Sequence, residues 1–312
     1  MNSQTKKKQL QENIESQLSS LITGDYWLLN VPYHPNVGDT LIWQGELDFL
    51  EKFPYKCKGM RSFYSPIPTN IGKEDLILIH GGGNFGDLWE LPQEWQMNVV
   101  QMYPENKILF FPQTVWFGDE KNLKECAKVL SNHKNLTICA RDEYSYKVLK
   151  KNFMNNILLV PDMAFCIDMT KWKTYSATKD TLLLKRDDRE LKVTPEIEQI
   201  ENASNVTITD WQTFAEDTWQ KRWFRRTKKY LPMFPRMYDW YAYAIFRPYL
   251  VNSGIKLICS HRKIDSTRLH AIILCILLGR DKGMVWFDNS YGKNSQFYNT
   301  WLSDVEGITF VK

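Results

Sequence analysis

The chain has 312 residues, which exceeds the usual size of one domain and predicts two domains of about 150 residues each. Apolar residues make up 43% of the sequence and charged residues 24%, a balance that is typical of a folded globular protein and excludes an intrinsically disordered one. The formal net charge of +4 is too small to require a nucleic-acid partner, and we expect none.

The N-terminal stretch, MNSQTKKKQLQENIESQLSSL, predicts a polar helix, because it has a basic start but no continuous apolar segment. The longest apolar run, Ala271 to Leu278, is far shorter than the roughly 20 residues that cross a bilayer. The six cysteines are scattered without a C-x-x-C pair or the spacing of metal ligands. We therefore expect a cytoplasmic protein with reduced, buried thiols and no metal site.

Short apolar runs alternate with stretches of helical spacing, an order that predicts parallel α/β units. The predicted strands are DYWLLNV, DLILIH, KILFFPQ, LTICARD and ILLVPD, then TLLLKRDD, NVTITD, KLICSHR and GMVWFDNS. The stretch DMTKWKTYSATKD separates the two groups, is polar and lacks periodicity. It predicts a domain boundary between residues 170 and 180, which divides the chain into domains of residues 1–172 and 173–312.

Polar residues and glycines follow almost every predicted strand. In open parallel sheets, ligands bind beyond the carboxyl ends of the strands, so this clustering favours a ligand site there. The alternative is that strand ends are loops, and loops are polar in most proteins. The polar residues include Asn36, Asp39, His80, Asn84, Asp87, Gln113, Arg141, Asp162, Arg186, Asp188 and Asp288.

The stretch LILIHGGGNFGDLWE, residues 76–90, contains a G-x-G-x-x-G match directly after an apolar strand. A dinucleotide site would also require an acid at the end of the next strand, but KILFFPQT ends in Pro-Gln-Thr. A P-loop is excluded because no Gly-Lys-Ser/Thr follows and Asp87 would repel a phosphate. Gly83, Asn84 and Asp87 suit either the binding of sugar hydroxyls or a tight turn in which Asp87 caps a helix.

The stretch CSHRKIDSTRLHAIILCILLG predicts a strand that ends at Cys259 or Ser260 and, after a short loop, a helix. Arg268 and His270 then lie in the first helical turn, where unpaired N–H groups and the helix dipole favour an anion. Arginine can bind such an anion through two hydrogen bonds, and histidine can supply a proton. The alternative is an arginine paired with Asp265 and a histidine that is satisfied in the core.

Two further cations follow predicted strands. In ARDEYSYKVLKKNF, Arg141 ends a strand and Asp142 caps the next helix, so Arg141 either binds an anion or pairs with Asp142 or Asp162. In DNSYGKNSQFYNTW, Lys293 follows a glycine turn and precedes a helix, where it would either reach a phosphate or remain solvated.

Taken in order, NVGDTLI, HGGGNFGD, PQT, ARDEYS, VPDMAF, STRLHAIILCILLG and DNSYGKN resemble the polysaccharide pyruvyl transferase family along nearly the whole chain. The resemblance implies an α/β fold of the glycosyltransferase-B type, in which two Rossmann-like domains face a cleft. It also implies transfer of a pyruvyl group from phosphoenolpyruvate to two hydroxyls of a sugar, forming a ketal. The sugar would belong to a polysaccharide or a lipid-linked precursor, and neither a metal nor another cofactor is expected.

For the donor, the resemblance implies that Arg268, His270, Arg141 and Lys293 bind phosphoenolpyruvate. This small trianion requires converging cations, and the C-terminal domain is expected to be the donor side. His270 is our prediction for proton transfer, because the unperturbed pKa of histidine lies near neutrality.

For the acceptor, the resemblance implies that Asn36, Gly83, Asn84 and Asp87 bind the sugar on the N-terminal domain. Asp39 and Asp87 would orient or deprotonate its hydroxyls. Two other functions are compatible with the same residues. One is a glycosyltransferase that uses a nucleotide sugar, and the other is a non-catalytic sugar-binding protein of the same fold.

Residues 218–250 depart from the family pattern. They interleave basic residues with aromatic ones, which favours either a contact with the inner face of the membrane, suited to a lipid-linked acceptor, or a helix whose basic face is solvated. Single-stranded nucleic acid would suit the same mixture but has no other support in the sequence. The mixture comprises Lys221, Arg222, Arg225, Arg226, Lys228, Lys229, Trp219, Trp223, Phe224 and Tyr230.

Overall fold

The computed structural model describes residues 1–188, 190–211, 218–229 and 235–312, except for the side chains of residues 228, 229 and 235. The contacts of the chain divide it into two compact units, which we treat separately. The N-terminal unit consists of Leu10–Tyr33 and Gly45–Cys166. The C-terminal unit consists of Met1–Gln9, His34–Gln44 and Ile167–Lys312.

This division differs from the single boundary after residue 172 that the sequence suggested. The C-terminal unit includes two early segments because a compact unit is defined by contacts and not by chain order. Lys6, for example, places its Nζ atom 2.7 Å from Oδ1 of Asp304, and the backbone N–H of Ser3 donates to Oδ1 of Asp281 at 2.7 Å. The assignment of acceptor and donor roles to the two domains stays a prediction.

The N-terminal unit, all of whose residues are described, contains a seven-stranded parallel sheet. Its strands are β1 (Tyr26–Leu29), β2 (Cys57–Arg61), β3 (Leu76–Ile79), β4 (Gly82–Gly86), β5 (Ile108–Trp116), β6 (Leu136–Ala140) and β7 (Asn156–Leu159). The strand order is β2-β1-β3-β5-β6-β7, and β4 also pairs with β5. The first helices of the chain are α1 (Ser3–Leu18), α2 (Val37–Leu50), α3 (Glu90–Met102), α4 (Glu120–Ser131) and α5 (Glu143–Asn152).

The C-terminal unit contains a parallel sheet with the order β12-β11-β10-β8-β9 among the residues that are described. These strands are β8 (Lys179–Leu184), β9 (Val206–Thr209), β10 (His261–Ser266), β11 (Met284–Phe287) and β12 (Ile308–Val311). The remaining helices are α6 (Pro195–Glu201), α7 (Trp219–Lys229), α8 (Pro235–Tyr241), α9 (Arg247–Cys259), α10 (Leu269–Leu277) and α11 (Lys293–Phe297). A π-helical turn, Ala242–Phe246, joins α8 to α9.

Both sheets confirm the predicted fold class, an α/β fold of two Rossmann-like domains. Counted along the chain, and with β4 set aside, the C-terminal sheet has the order 2-1-3-4-5 and the N-terminal sheet has the same order with a sixth strand added at the end, 2-1-3-4-5-6. The order 2-1-3-4-5 is found in doubly wound nucleotide-binding proteins. Several of their inner strands read as continuous apolar runs, such as LILI in β3, because parallel sheets are covered on both faces. None of the helices in the described part of the chain has the length and apolar character to span a bilayer.

The predicted strand KLICSHR is wrong. Residues 256–259 end helix α9, and the strand β10 begins only at His261. The buried side chains of α9 include Leu250, Val251, Ile255 and Ile258, and this spacing is helical. The polar run that follows forms a strand because β10 is hydrogen-bonded to β8 on one side and to β11 on the other, and this placement outweighs its weak strand propensity.

The expectation of buried thiols is correct for five cysteines and wrong for Cys57, which is exposed at the start of β2. All six cysteines are free thiols. The exposure follows from position, since β2 is the edge strand of the N-terminal sheet and its first residues are exposed.

The glycine motif forms strand β4 and does not lead directly into a helix. Helix α3 starts only at Glu90, and its N-cap is Trp89, so the predicted cap Asp87 is wrong. The motif therefore lacks the adjacent helix N-terminus that would hold a pyrophosphate. Instead, β4 inserts Phe85 into the core, where its ring lies 5.9 Å from the rings of both Phe110 and Phe153.

Gly86, the last residue of β4, is required by its backbone. Its φ is +127°, and a Cβ atom there would lie 1.7 Å from the carbonyl oxygen of Trp116. We expect Gly86→Ala to lower the free energy of unfolding by about 3–5 kcal/mol, because both the backbone strain and the clash oppose the native pairing of β4 with β5. Urea unfolding of the variant measures this loss.

Gly24→Ala serves as the matched control. The nearest atom to its Cβ position, the carbonyl oxygen of Glu74, is at an ordinary contact distance of 3.8 Å. Unfolding free energies that are equally high for the two variants would contradict the assignment of strain to Gly86.

Candidate active site

The strand order marks one position on each sheet where a ligand is expected. In a sheet of order 2-1-3-4-5, the connections turn in opposite directions on either side of the first strand, and a crevice opens at the carboxyl ends there. This point lies between β8 and β10 in the C-terminal unit and between β1 and β3 in the N-terminal unit. Arg186 follows β8, and Arg268 follows β10, so both arginines lie at the C-terminal crevice.

Arg268 is fixed at this edge by two carboxylates. Its Nε atom donates to Oδ1 of Asp210 at 2.7 Å, and Nη2 donates to Oδ2 of the same residue. Its Nη1 atom lies 3.2 Å from Oδ2 of Asp188. Arg268 thereby links the carboxyl end of β10 to the residues that follow β9 and β8.

The second arginine belongs to the same network. The Nε and Nη2 atoms of Arg186 donate to the two oxygens of Asp188 at 2.7 and 3.0 Å. Its Nη1 atom lies 2.7 Å from Oε2 of Glu190, and Lys293 places Nζ 3.5 Å from that same oxygen. Asn289 also donates to Oε2 of Glu190, at 3.2 Å.

The arrangement corrects one expectation about the cations. The sequence predicted converging cations, but here Arg186, Arg268 and Lys293 each contact a carboxylate. Asp265, the predicted alternative partner of Arg268, instead pairs with Lys263 at 2.9 Å. Asp265 and Ser266 are the last residues of β10 and do not cap helix α10, whose N-cap is Arg268 itself. An incoming anion must therefore displace a carboxylate from an arginine.

Asp188 is the carboxylate that is easiest to displace. Its side chain is 22% exposed, whereas those of Asp210 and Glu190 are 2% and 5% exposed. Its contact with Nη1 of Arg268 is also the longest of the three that this arginine makes. The edge between β8 and β10 is thus the part of the network that a ligand can enter.

Two carboxyl groups at this edge have opposite pKa shifts. Burial alone would raise the pKa of Glu190, but the charges of Lys293 and Arg186, with hydrogen bonds from Tyr291 and Arg186, outweigh it and lower the pKa to about 2. The pKa of the exposed Asp187 is raised, first by its hydrogen bond with Asp210 and then by burial and the charge of Asp210. Asp187 therefore holds a proton to higher pH than an ordinary aspartate.

His270 is the second residue of helix α10 and is buried against the Asn-Val-Gly-Asp segment that starts α2. A Cβ atom on Gly38 would lie 2.6 Å from Nδ1 of His270, so only glycine allows this approach without movement of the imidazole. The Oδ1 atom of Asn36 accepts from the backbone N–H of Gly38 at 2.9 Å and thus caps the helix. Asp39 lies beside His34, with Oδ2 3.6 Å from Nε2.

Asn36 and Asp39 therefore belong to the same unit as Arg268, His270 and Lys293. The sequence had placed Asn36 on the acceptor side, in the first domain. The structure places it with the predicted donor residues because the segment His34–Gln44 packs in the C-terminal unit. The side-chain oxygen of Asn36 is already engaged in capping α2.

The remaining predicted acceptor residues lie in the N-terminal unit. Gly83 and Asn84 are half-buried within strand β4. Asp87 is a ligand of the backbone: Oδ1 accepts from the N–H of Gly118 at 2.7 Å, and Oδ2 accepts from that of Asp119 at 2.9 Å. Burial opposes ionisation of Asp87, but these bonds, with one from a nearby asparagine amide, lower its pKa. Asp87 thus holds the loop after β5.

Arg141 is also in the N-terminal unit and is fully buried. Its Nη1 atom donates to Oδ2 of Asp162 at 2.7 Å, and its Nε atom donates to Oγ1 of Thr114 at 2.7 Å. Of the predicted alternatives, the structure shows the pairing with Asp162. Asp142 caps helix α5, as predicted, by accepting from the N–H of Ser145.

The sequence reasoning missed several residues of these edges. Glu46 is fully buried, with Oε2 2.8 Å from Nδ1 of His80 and Oε1 accepting from the N–H of Gly81 at 2.8 Å. Burial raises the pKa of Glu46, and His80 partly offsets this effect. Glu46 lies within a helix and gave no signal in the sequence. Asp210 could have been found, because it is the last residue of the predicted strand NVTITD and directly follows β9.

The described residues contain no group of three or more His, Cys, Asp or Glu side chains that is arranged to hold a metal ion.

The low pKa of Glu190 links its ionisation to stability. Because the folded-state pKa is depressed, the stabilisation is present above the unfolded pKa, near 4.5, and is lost as the pH falls toward 2. We expect Glu190→Gln to lower the free energy of unfolding by about 3 kcal/mol near neutral pH and by about half of that near pH 3. Urea unfolding across this pH range measures the difference, with the exposed Glu198→Gln as control. A loss that does not depend on pH would contradict the assignment.

Three comparisons with known proteins are informative. The family model for polysaccharide pyruvyl transferase matches residues 36–280. EpsO of Bacillus subtilis (strain 168), which carries a pyruvyl transferase name, is 30% identical over 94% of this chain and 89% of its own length. Pyruvyl transferase 1 of Schizosaccharomyces pombe (strain 972 / ATCC 24843) is 28% identical, over 91% of this chain and 72% of its own.

A solved structure agrees at the level of the fold. The crystal structure of the uncharacterised protein KP1_0663 from Klebsiella pneumoniae subsp. pneumoniae NTUH-K2044 superimposes with a TM-score of 0.66. The match covers 97% of this chain and 98% of that one at 17% identity, so it supports the fold alone. Together with the family match over most of the sequence, these comparisons establish that the chain belongs to the polysaccharide pyruvyl transferase family.

Proposed function

We propose that this protein transfers a pyruvyl group from phosphoenolpyruvate to two hydroxyls of a sugar and forms a ketal. The sugar would be part of a polysaccharide or of a lipid-linked precursor, and the reaction would take place in the cytoplasm. Membership of the family supports a pyruvyl transferase. The donor and the product are those that the family resemblance implies, and the cations at the carboxyl edge of the C-terminal sheet support an anionic donor.

One observation carries the proposal. Arg268 and His270 follow the central strand β10 at the crevice of the C-terminal sheet, beside Arg186 after β8, and Gly38 brings a backbone segment up to the imidazole. Two guanidinium groups suit a carboxylate and a phosphate, since each can form paired hydrogen bonds with two oxygens. Phosphoenolpyruvate, the donor that the family resemblance implies, carries both groups on one small carbon frame.

Binding of the donor would proceed by exchange of partners. Arg268 keeps Nε and Nη2 on the buried Asp210, while Nη1 faces the more exposed Asp188. A donor oxygen at Nη1 would replace Asp188. The pairing with Asp210 would hold the guanidinium in position before the donor arrives, which reduces the entropy that binding must overcome.

The reaction requires one proton donor and two proton acceptors. His270 would protonate the methylene carbon of phosphoenolpyruvate, and the electron-poor C2 would then be attacked by a sugar hydroxyl, which releases its proton. Cleavage of the C2–O bond would release phosphate, and attack by the second hydroxyl would close the ketal with loss of a second proton. Each phosphoenolpyruvate and each sugar diol would thus give one ketal and one phosphate.

Asp39 and Asp87 are the proposed groups that orient or deprotonate the sugar hydroxyls. Asp39 follows Gly38, which contacts the imidazole of His270, so it lies on the segment nearest to the proposed proton donor. Asp87 would act as a carboxylate, in keeping with its lowered pKa. Gly83 and Asn84 would contact the acceptor from strand β4, and Lys293 would add positive charge for the donor.

Donor binding can be tested without knowledge of the acceptor. We expect phosphoenolpyruvate to raise the melting temperature of the purified protein, because a ligand that binds only the native state stabilises it. Arg268→Lys should reduce this shift strongly, since lysine lacks the fixed fork with which the guanidinium pairs with Asp210 and directs a further N–H at the donor. Arg262→Lys is the control, because Arg262 lies near the start of β10 and pairs with the exposed Asp180. This variant should leave the shift in melting temperature unchanged.

A nucleoside diphosphate and NAD are the comparison ligands. Stabilisation by the nucleotide alone would replace the proposal with a glycosyltransferase that uses a nucleotide sugar. The absence of any shift would favour a non-catalytic sugar-binding protein.

The role of His270 predicts a kinetic signature. In a phosphate-release assay with an acceptor found by screening sugars, His270→Gln should lower kcat by about 10²–10⁴-fold and change the KM for phosphoenolpyruvate little. A mainly structural role would instead lower the amount of folded protein and leave the kcat of the folded fraction unchanged. The control His133→Gln, at a buried histidine of the N-terminal unit, should keep its turnover.

A further inference from the structure

Helix α7 exposes a face that consists of tryptophan and arginine. Trp219, Arg222, Trp223 and Arg226 recur at the spacing of one helical stripe, and Arg225 is exposed beside them. Trp219 and Trp223 are 52% and 50% exposed. We call these five residues the Trp-Arg face. The side chains of Lys228 and Lys229, and all of Tyr230, lie outside the described residues.

The opposite side of α7 anchors the helix in the C-terminal unit. The Phe224 ring stacks on that of Phe246 at 4.1 Å and lies 5.7 Å from that of Tyr238. The hydroxyl of Tyr241 donates to the carbonyl of Gln220 at 2.9 Å. The described aromatic residues of α7 and α8 thus divide into two sets, one that packs and one that faces outward, which the sequence alone could not separate.

The exposed set is concentrated in one part of the chain. Of the four tryptophans that are exposed among the described residues, Trp219, Trp223 and Trp240 lie in α7 and α8. Met237 and Tyr243, also exposed, follow the same helical spacing as Trp240. A globular protein rarely leaves several large apolar side chains exposed close together unless they contact a partner.

The charge of this face selects the partner. Helix α7 has no acidic residue, and the ring of Trp223 lies under the guanidinium of Arg226, 5.5 Å from the ring centre. Tryptophan partitions to the headgroup region of bilayers, because its ring is apolar and its N–H is polar, while arginine is attracted to anionic headgroups. Exposed tryptophan interleaved with arginine is the composition of helices that lie in a membrane interface.

We propose that the Trp-Arg face of α7 docks the protein on the surface of a bilayer that contains anionic lipids. Tryptophan side chains enter the headgroup region, and the arginines contact lipid phosphates. The purpose of this docking rests on the proposed function, because a lipid-linked acceptor would lie at such a membrane surface. The docking itself needs neither donor nor acceptor, so it can fail or hold independently of the reaction.

The test is co-sedimentation of the full-length protein with phosphatidylcholine vesicles, with or without phosphatidylglycerol. We expect binding to the anionic vesicles only, and a decrease as salt screens the attraction. Arg222→Gln/Arg225→Gln/Arg226→Gln should weaken binding by about a hundredfold, since each basic residue near an anionic surface contributes a factor of about five. Trp219→Ala/Trp223→Ala should weaken it at least tenfold.

The controls separate this face from charge and aromatic content in general. Lys147→Gln/Lys150→Gln/Lys151→Gln removes the same charge from the exposed side of α5, and Trp89→Ala removes the fourth exposed tryptophan. Both should bind as the unchanged protein does. Trp219→Phe/Trp223→Phe keeps the aromatic bulk and should retain most of the vesicle binding. Circular dichroism checks that every variant is folded.

Three results would overturn the proposal. These are a lack of binding to anionic vesicles, binding that the Trp-Arg variants leave unchanged, and an equal loss in the α5 control. Tight binding to a single-stranded oligonucleotide that excludes vesicles and requires the same five residues would assign the face to nucleic acid instead.

Discussion

The paired hydrogen bonds between Arg268 and Asp210 are the interaction on which the C-terminal edge depends. They join the residue after β10 to the residue after β9, and the third contact of Arg268, to Asp188, adds the segment after β8. Three neighbouring strand ends are thereby held in one arrangement. A buried ion pair of this kind contributes little net stability, because the desolvation of both charges offsets their attraction. Its role here is positional, since it fixes the guanidinium of Arg268 at the carboxyl end of β10.

The same network places two buried arginines, Arg186 and Arg268, at one sheet edge in a chain of nearly balanced charge. Unpaired buried cations would be costly, and among the described residues of this edge Arg186, Arg268 and Lys293 each contact a carboxylate. The carboxylates are not equivalent, because Asp210 and Glu190 are buried and Asp188 is partly exposed. Under the proposed function, an anionic donor would replace one partner while the others keep the arginines in place. The raised pKa of Asp187 gives the edge a further group that can carry a proton.

In the N-terminal unit, backbone geometry plays the corresponding part. The glycine motif leaves room for β4 beside β5, and at Gly86 any side chain would meet the carbonyl of Trp116. Two carboxylates, the buried Glu46 and the half-buried Asp87, then fix the backbone around it. Glu46 holds the N–H of Gly81, and Asp87 holds the loop after β5. A pattern that resembles a dinucleotide fingerprint thus serves to pack a strand, and the acid after it serves to hold a loop.

The sequence by itself determined the fold class, most strands, and the family. Apolar runs that alternate with helical spacing specify parallel α/β units locally, and the motifs that surround Arg268 and His270 are contiguous in the chain. It could not determine that KLIC ends a helix, because a short apolar run suits a helix or a strand until its neighbours are known. It could not determine the partners of Arg268 either, since Asp210 lies 58 residues away in the chain.

Only the tertiary structure decided which residues lie together. It placed Asn36 and Asp39 in the unit of His270, paired Arg141 with Asp162, and turned some aromatic residues of α7 inward and others outward. The physical reason is common to all three. Burial, desolvation and ion pairing depend on distances between residues that are remote in sequence, whereas composition and spacing report only on residues that are near one another along the chain.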